Sequence, residues 1–312
     1  MTESSLQSQS PPLKAKFNLE PTVLLRRLVW KLAIATLFLM AVGSATRVMN
    51  AGLACPDWPL CYGQLVPASQ MNLQVFLEWF HRLDAALIGF GAIALTGLSW
   101  WWRKQFPRWL PYACSFALGL IIFQGVLGGL TVTQLLRFDI VTAHLGTALL
   151  FFTTLVAIGT SLLPTRPTGV AHNLAKVGLA ATVLVYLQSV LGGLVASQWA
   201  LHQCFAGSQL CRVMNGHIIG VFPPTFATVI LVWLAWRTPA LPVKLRHLST
   251  IAAGLVVGQI VLGIATYRLH LQVEILTVTH QLIGASLLGT LVAFTVLASK
   301  DTLSLSHQKS QL

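Results

Sequence analysis

The residues of this chain best equipped for chemistry are four histidines, His81, His144, His217 and His280, and a carboxylate, Glu78, three residues before the first of them. The histidines sit in "FHRLDAALIG", "TAHLGTALL", "NGHIIGVFP" and "THQLIGASL", each near one end of an apolar run. A lone histidine at a helix end is usually an interfacial or hydrogen-bonded residue. Four at similar depth, two in each half of the chain, read instead as two pairs, His81 with His144 and His217 with His280. Imidazoles on facing helices of a four-helix bundle can hold haem iron from both faces, and two haem sites follow from two pairs. Zinc suits the pattern less, because a structural zinc site wants four clustered nitrogen or sulfur ligands. His172, His202, His247, His270 and His307 break the pattern and read as solvated surface.

The two pairs are not equivalent. Glu78 lies an i, i+3 step before His81, on the same helix face, whereas Met214 lies three residues before His217. Arg82 follows the first histidine and Ile218 its counterpart. Matched electron-transfer haems have no use for a titratable group on one side only, but a reaction does, since a carboxylate can move protons or stabilise developing positive charge. The competing reading makes Glu78 a helix-start residue, favoured by the macrodipole and paired with Arg82 at i+4. Asp84, Asp139 and Glu274 read as helix-start residues.

The chain carries five cysteines. Cys55 and Cys61 lie in "GLACPDWPLCYGQ", where Pro56 and Pro59 can bend the segment enough for a disulfide in an oxidising compartment. Such a bridge is either a structural staple or a thiol pair that passes electrons to an outside acceptor. Cys204 and Cys211 read as a second, structural bridge, and Cys114 as a buried hydrophobe.

Apolar helices must position all of this. A chain of 312 residues with 9% charged residues has too few charges to cover a soluble surface, where roughly a quarter is usual, and its mean hydropathy is +0.73. The net charge of +12 does not point to nucleic acid, because the basic residues occupy short loops between apolar runs. Residues 1–20 are polar, and the first apolar run has no small-residue cleavage site, so it reads as a retained helix rather than a signal peptide. Eight segments are long enough to cross a bilayer: 28–46, 82–101, 110–130, 140–163, 174–196, 216–236, 248–267 and 275–298. The fold class is therefore all-α and integral to a membrane. Of the 20 Lys and Arg residues, 15 fall on the side of the termini, which places both termini in the cytoplasm and the cysteine loops outside. Trp100, Trp101, Trp102, Trp109, Trp233 and Trp236 would form the inner aromatic belt, with Trp58, Trp79 and Trp199 on the outer side.

An internal repeat organises the spans. "QGVLGGLTV" from Gln124, "QSVLGGLVAS" from Gln188 and "QIVLGIATY" from Gln259 recur on odd-numbered spans, while even-numbered spans carry the histidines. The chain divides into a polar tail (1–24), a four-helix half (25–163), a linker (164–173), a second four-helix half (174–298) and a second tail (299–312). With four spans each, the halves run in the same sense. The glycines, Gly125, Gly128 and Gly129 among them, serve either close helix packing or the approach of a flat ligand to backbone.

"GLACPDWPLCYGQ", "EWFHR", "TAHLG", "NGHIIG" and "THQLIGA" together resemble bacterial heme A synthase, of the kind with cysteine pairs in its outer loops. The resemblance covers residues 25–298. It implies an enzyme of the bacterial cytoplasmic membrane that oxidises the C8 methyl of heme O to a formyl group through a hydroxymethyl intermediate, for haem-copper terminal oxidases. It further implies that His81 and His144 address the substrate haem, that Glu78 is the catalytic carboxylate, that His217 and His280 ligate a heme b cofactor, and that Cys55 and Cys61 are the redox-relevant pair. Heme O synthase, terminal-oxidase assembly and an unidentified electron acceptor are the partners this would involve. Two other readings compete: a di-haem membrane cytochrome that relays electrons without altering its haems, and a transporter, which the scarcity of ionisable residues near mid-span disfavours.

Overall fold

The computed structural model describes residues 20–165, 168–197, 209–270 and 272–309. The described residues form nine α-helices: α1 (Pro21–Val48), α2 (Leu73–Trp101), α3 (Trp109–Thr133), α4 (Phe138–Ser161), α5 (His172–Ser197), α6 (Gln209–Ile219), α7 (Phe222–Arg237), α8 (Val243–Arg268) and α9 (Glu274–Lys309). With α6 and α7 taken as one crossing, eight are long and apolar enough to span a membrane, as expected from the hydropathy pattern.

Several helix ends differ from that pattern. The second span begins at Leu73 rather than residue 82, because Asn72 caps it by accepting the Val75 N–H at 2.9 Å. Hydropathy misses this first stretch, which carries Glu78 and His81, and Glu78 therefore lies inside the helix body instead of at its start. Asp84 sits deeper still, in the third turn and beyond, so its helix-start reading fails, whereas Asp139 and Glu274 do occupy first turns. The sixth span breaks between Ile219 and Phe222, just before Pro223 and Pro224, whose rings lack the N–H and clash with the preceding turn. The last helix continues past 298 to Lys309.

A continuous core joins the two halves. α9 packs against α1, α4, α5 and α8, and α4 also packs on α5 and α1. Large side chains that are fully enclosed, among them Phe151, Leu155, Leu288, Leu291 and Phe294, come from α4 and α9. Where these two helices cross, an ideal Cβ on Gly289 would stand 2.9 Å from the Phe152 ring, so only glycine admits the approach. At the end of the bundle near the chain termini, Asp301 accepts the N–H groups of Thr168 and Ala171, and Lys300 donates to the carbonyls of Ser161 and Leu163. These bonds fasten the segment between the halves to the last helix. Outward faces carry Phe90, Phe116, Phe226 and Val243, the surface expected of a chain bathed in lipid.

Candidate functional site

All four histidines are held the same way. An ideal Cβ on Gly43 of α1 would lie 2.8 Å from Cε1 of His81; the corresponding distances are 3.4 Å from Gly128 to His144, 2.8 Å from Gly192 to His217 and 3.0 Å from Gly263 to His280. Each imidazole thus rests on a glycine of the preceding odd-numbered span, and at Gly43, Gly192 and Gly263 an added side chain would crowd the ring. In the three repeat phrases the seat is the glycine four residues after the glutamine. The His217 and His280 rings face each other with centroids 6.5 Å apart and planes at 83°.

Glutamine completes the second pair. The Gln188 amide nitrogen lies 3.0 Å from His217 Nδ1 and donates to the His217 carbonyl at 2.7 Å, and the Gln259 amide nitrogen lies 3.2 Å from a ring nitrogen of His280. Nδ1 of His81, of His144 and of His280 is buried with no partner among the described residues. Buried polar atoms are normally satisfied, so rings with such a nitrogen have capacity for a partner that the chain does not supply. Two imidazoles each about 2 Å from a shared metal have centroids roughly 6 Å apart, close to the spacing of His217 and His280. The spacing of the second pair is thus the one expected of two imidazoles that share a metal.

The carboxylate of Glu78 is 4% exposed and engaged on both oxygens: Oε2 accepts the Cys55 N–H at 2.8 Å and Oε1 pairs with Arg82. Arg82 also donates to the carbonyls of Asp57, Leu60 and Cys55. The Cys55–Cys61 disulfide is formed, with Cα atoms 4.8 Å apart, and both cysteines are buried. The ring it closes is thus wrapped around one guanidinium that also holds the carboxylate beside His81. Trp58, at the tip of the ring, lies over Gly129, whose ideal Cβ would be 3.2 Å from the indole. Gly129 adjoins Gly128, the seat of His144. The loop accordingly reaches from Glu78, beside His81, to the stretch of α3 that seats His144.

A cytochrome oxidase assembly protein family, COX15-CtaA, matches residues 26–292. The chain belongs to the COX15-CtaA family. Curated relatives include the heme A synthase of Shewanella oneidensis, 29% identical over 85% of this chain and 95% of the relative. That of Caulobacter vibrioides is 27% identical over 85% and 94%, and that of Shouchella clausii 26% identical over 88% and 96%. Family membership and the eight apolar helices make this a multi-pass membrane protein.

In this COX15-CtaA member the structure brings together His217 with His280, and Glu78 with the disulfide loop, and it seats His81 and His144 each on a glycine of the preceding span. The Arg82 ion pair that accompanied the helix-start reading of Glu78 exists, but inside the helix. Cys114 is fully buried, and His247 and His270 are exposed. Cys204, His202 and Trp199 lie outside the described residues, as do the side chains of Cys211, His172 and His307. Reading the sequence missed Arg82 as the hub of the loop, Trp58 as its contact with α3, Gly43 as a fourth seat, and the two glutamine amides. The glutamine signal was present in the recurring Gln-x-x-x-Gly spacing.

Two expectations follow for the loop. Arg82→Ala should destabilise the protein by about 3–5 kcal/mol, because it strands a buried carboxylate; denaturant unfolding in detergent measures this, and a loss below about 1 kcal/mol would show that Glu78 is otherwise compensated. Asp57 accepts the N–H groups of Gly63 and Tyr62, which hold its carboxyl below the usual carboxylate range, with the charge of Arg82 adding to the effect. A depressed folded pKa stabilises the loop above the unfolded value of about 3.9 and ceases to do so as pH falls through the lower folded value. Cleavage of the disulfide by a water-soluble phosphine should be slow from neutral pH to about pH 4 and accelerate below it. A rate that stays flat on acidification would exclude Asp57 as the latch.

Proposed function

We infer that this COX15-CtaA member is a heme A synthase that oxidises the C8 methyl of heme O to a formyl group in two successive two-electron steps, by way of a hydroxymethyl. The observation that carries the reading is the pair of equivalent histidine seats with a buried carboxylate beside only one of them. Membership in the family and the names of the curated relatives support it. His81 and His144 address the substrate haem, and His217 and His280 are the ligands of a resident heme b. When bound, heme b supplies a site that can take up and pass on single electrons.

The chain's own contribution is positioning and electrostatics. Glu78 stands one turn before His81 on the same face of α2, and its negative charge is fixed by the Cys55 N–H and Arg82 rather than free to rotate. A carboxylate so held stabilises positive charge as it develops on the reacting methyl carbon and can accept the proton released there. The loop closed by Cys55 and Cys61 lies against the Glu78 carboxylate and buries it, which limits water around it. The distribution of basic residues supports an orientation with both termini in the cytoplasm and this loop outside. In that setting the Cys55–Cys61 disulfide is suited to take up two electrons and two protons as a dithiol and to pass them to an external acceptor as the bridge re-forms. Heme O synthase as supplier and a terminal oxidase as consumer are the corresponding partners.

The test is to extract haems from membranes of cells with and without this chain and identify them by mass. Heme A formed only with the chain is the expected result. Heme b alone, unchanged and redox-active, would identify an electron-transfer cytochrome instead.

A further inference from the structure

The two halves seat their histidines alike but secure them differently. In the second half each imidazole is flanked by a glutamine amide from the preceding span, Gln188 at His217 and Gln259 at His280. Each amide in turn needs a glycine one turn beyond the histidine: an ideal Cβ on Gly220 would stand 2.5 Å from the Gln188 amide oxygen, and one on Gly284 would stand 3.0 Å from the Gln259 amide nitrogen. Histidine, glutamine and the second glycine thus recur together in both spans, with Gln188 at Nδ1 of His217 and Gln259 at Nε2 of His280.

The first half lacks it. Four residues before the Gly43 seat stands Leu39, whose buried side chain has no polar group to set beside the ring. The positions beyond His81 that correspond to Gly220 and Gly284 are Asp84 and Ala85, and those beyond His144 are Thr147 and Ala148. Gln124 does stand at the glutamine position of α3, yet, unlike Gln188 and Gln259, its amide makes no hydrogen bond to the histidine ring among the described residues.

We propose that Gln188 and Gln259 are positioning residues that lock His217 and His280 into a preformed pair, whereas the absence of such a lock at His81, set by Leu39, makes the first chamber the one that exchanges its haem. The proposal rests on the reading given under Proposed function. A hydrogen bond to a ligand ring fixes its orientation before the group arrives, and its loss typically costs 10- to 100-fold in affinity for the metal centre. A reaction chamber must release its product, so a looser ring there is the useful arrangement, and a resident cofactor wants the opposite.

The test uses the full chain purified in detergent with the haems it acquires in the cell, chased with an excess of apomyoglobin as haem scavenger. Lost haem is identified by mass and the remaining haem by its visible spectrum. The wild type is expected to lose heme O or heme A well before heme b. Gln188→Leu and Gln259→Leu place in α5 and α8 the residue that α1 already carries, and should speed heme b loss about tenfold and shift its low-spin absorption, without lowering the unfolding midpoint in step. Leu39→Gln, the reverse exchange, should slow loss from the first chamber, with retained heme A accumulating on the protein. Unchanged heme b loss and spectrum in both glutamine variants would overturn the proposal, as would Leu39→Gln leaving first-chamber loss as fast as before. A wild type that carries no haem under any growth condition would instead sink the functional reading beneath it.

Discussion

Glu78→Gln is expected to leave both haem sites filled while cutting conversion of heme O to heme A by at least about a hundredfold, the usual contribution of a group that transfers a proton. The substitution is nearly isosteric, and the amide oxygen of glutamine can still accept the Cys55 N–H that Glu78 Oε2 receives. Arg82 keeps its bonds to the carbonyls of Asp57 and Leu60, so the loop retains its anchor. What disappears is the negative charge and the capacity to take a proton. The ratio of heme A to heme O in extracted membranes measures the loss, and the visible spectrum of the purified variant measures occupancy. Normal heme A in this variant would mean that Glu78 serves only to hold the loop. Intact occupancy with no heme A would separate chemistry from folding.

Gly192→Val should remove the heme b site without touching a ligand. The seat leaves no room: a Cβ at Gly192 meets Cε1, Nδ1 and Nε2 of His217 at 2.8, 3.4 and 3.5 Å. An imidazole is rigid, so the ring must swing away, and it then loses both its place opposite His280 and the Gln188 amide. Haem per chain should fall from about two to about one, with loss of the low-spin signal, as in His217→Ala. The neighbouring Gly193 accommodates Leu145, so the contact of α5 with α4 does not depend on the altered residue. A Gly192→Val protein with full haem content would show that His217 has another place from which to bind, and the seat would lose its meaning.

The spans, the histidines and the asymmetry at Glu78 were legible because each depends on local composition or on spacing within one helix. Hydropathy reports burial in lipid, and an i, i+3 step fixes a shared face wherever the helix begins. The start of α2 was hidden because Asn72 is a cap, and a cap acts through one side-chain bond that an averaged apolar window does not register. Arg82 read as half of an i, i+4 ion pair; its bonds to three carbonyls of the loop join residues more than 20 apart and leave no periodic trace. Gly43 went unnoticed as a seat for a related reason. The repeat was recognised by its glutamines, and α1 carries leucine there, so a shared backbone arrangement was concealed by the side chain that distinguishes it. The break after His217 had a clear signal in Pro223 and Pro224, but proline is tolerated inside membrane helices often enough that the signal alone does not decide between a kink and a gap.

The recurrence of one imidazole seat in two parallel sets of four crossings bears on how such a molecule could arise. A unit with an odd number of crossings would land upside down when joined to its own copy, and its seats would open to opposite compartments. An even unit fused in tandem lands both copies the same way up, so the duplicate is serviceable at once and its sequence is free to drift. Glutamate, arginine and aspartate at positions 78, 82 and 84 in one copy, against methionine, isoleucine and glycine at 214, 218 and 220 in the other, are then the record of a division of labour between siblings that began identical.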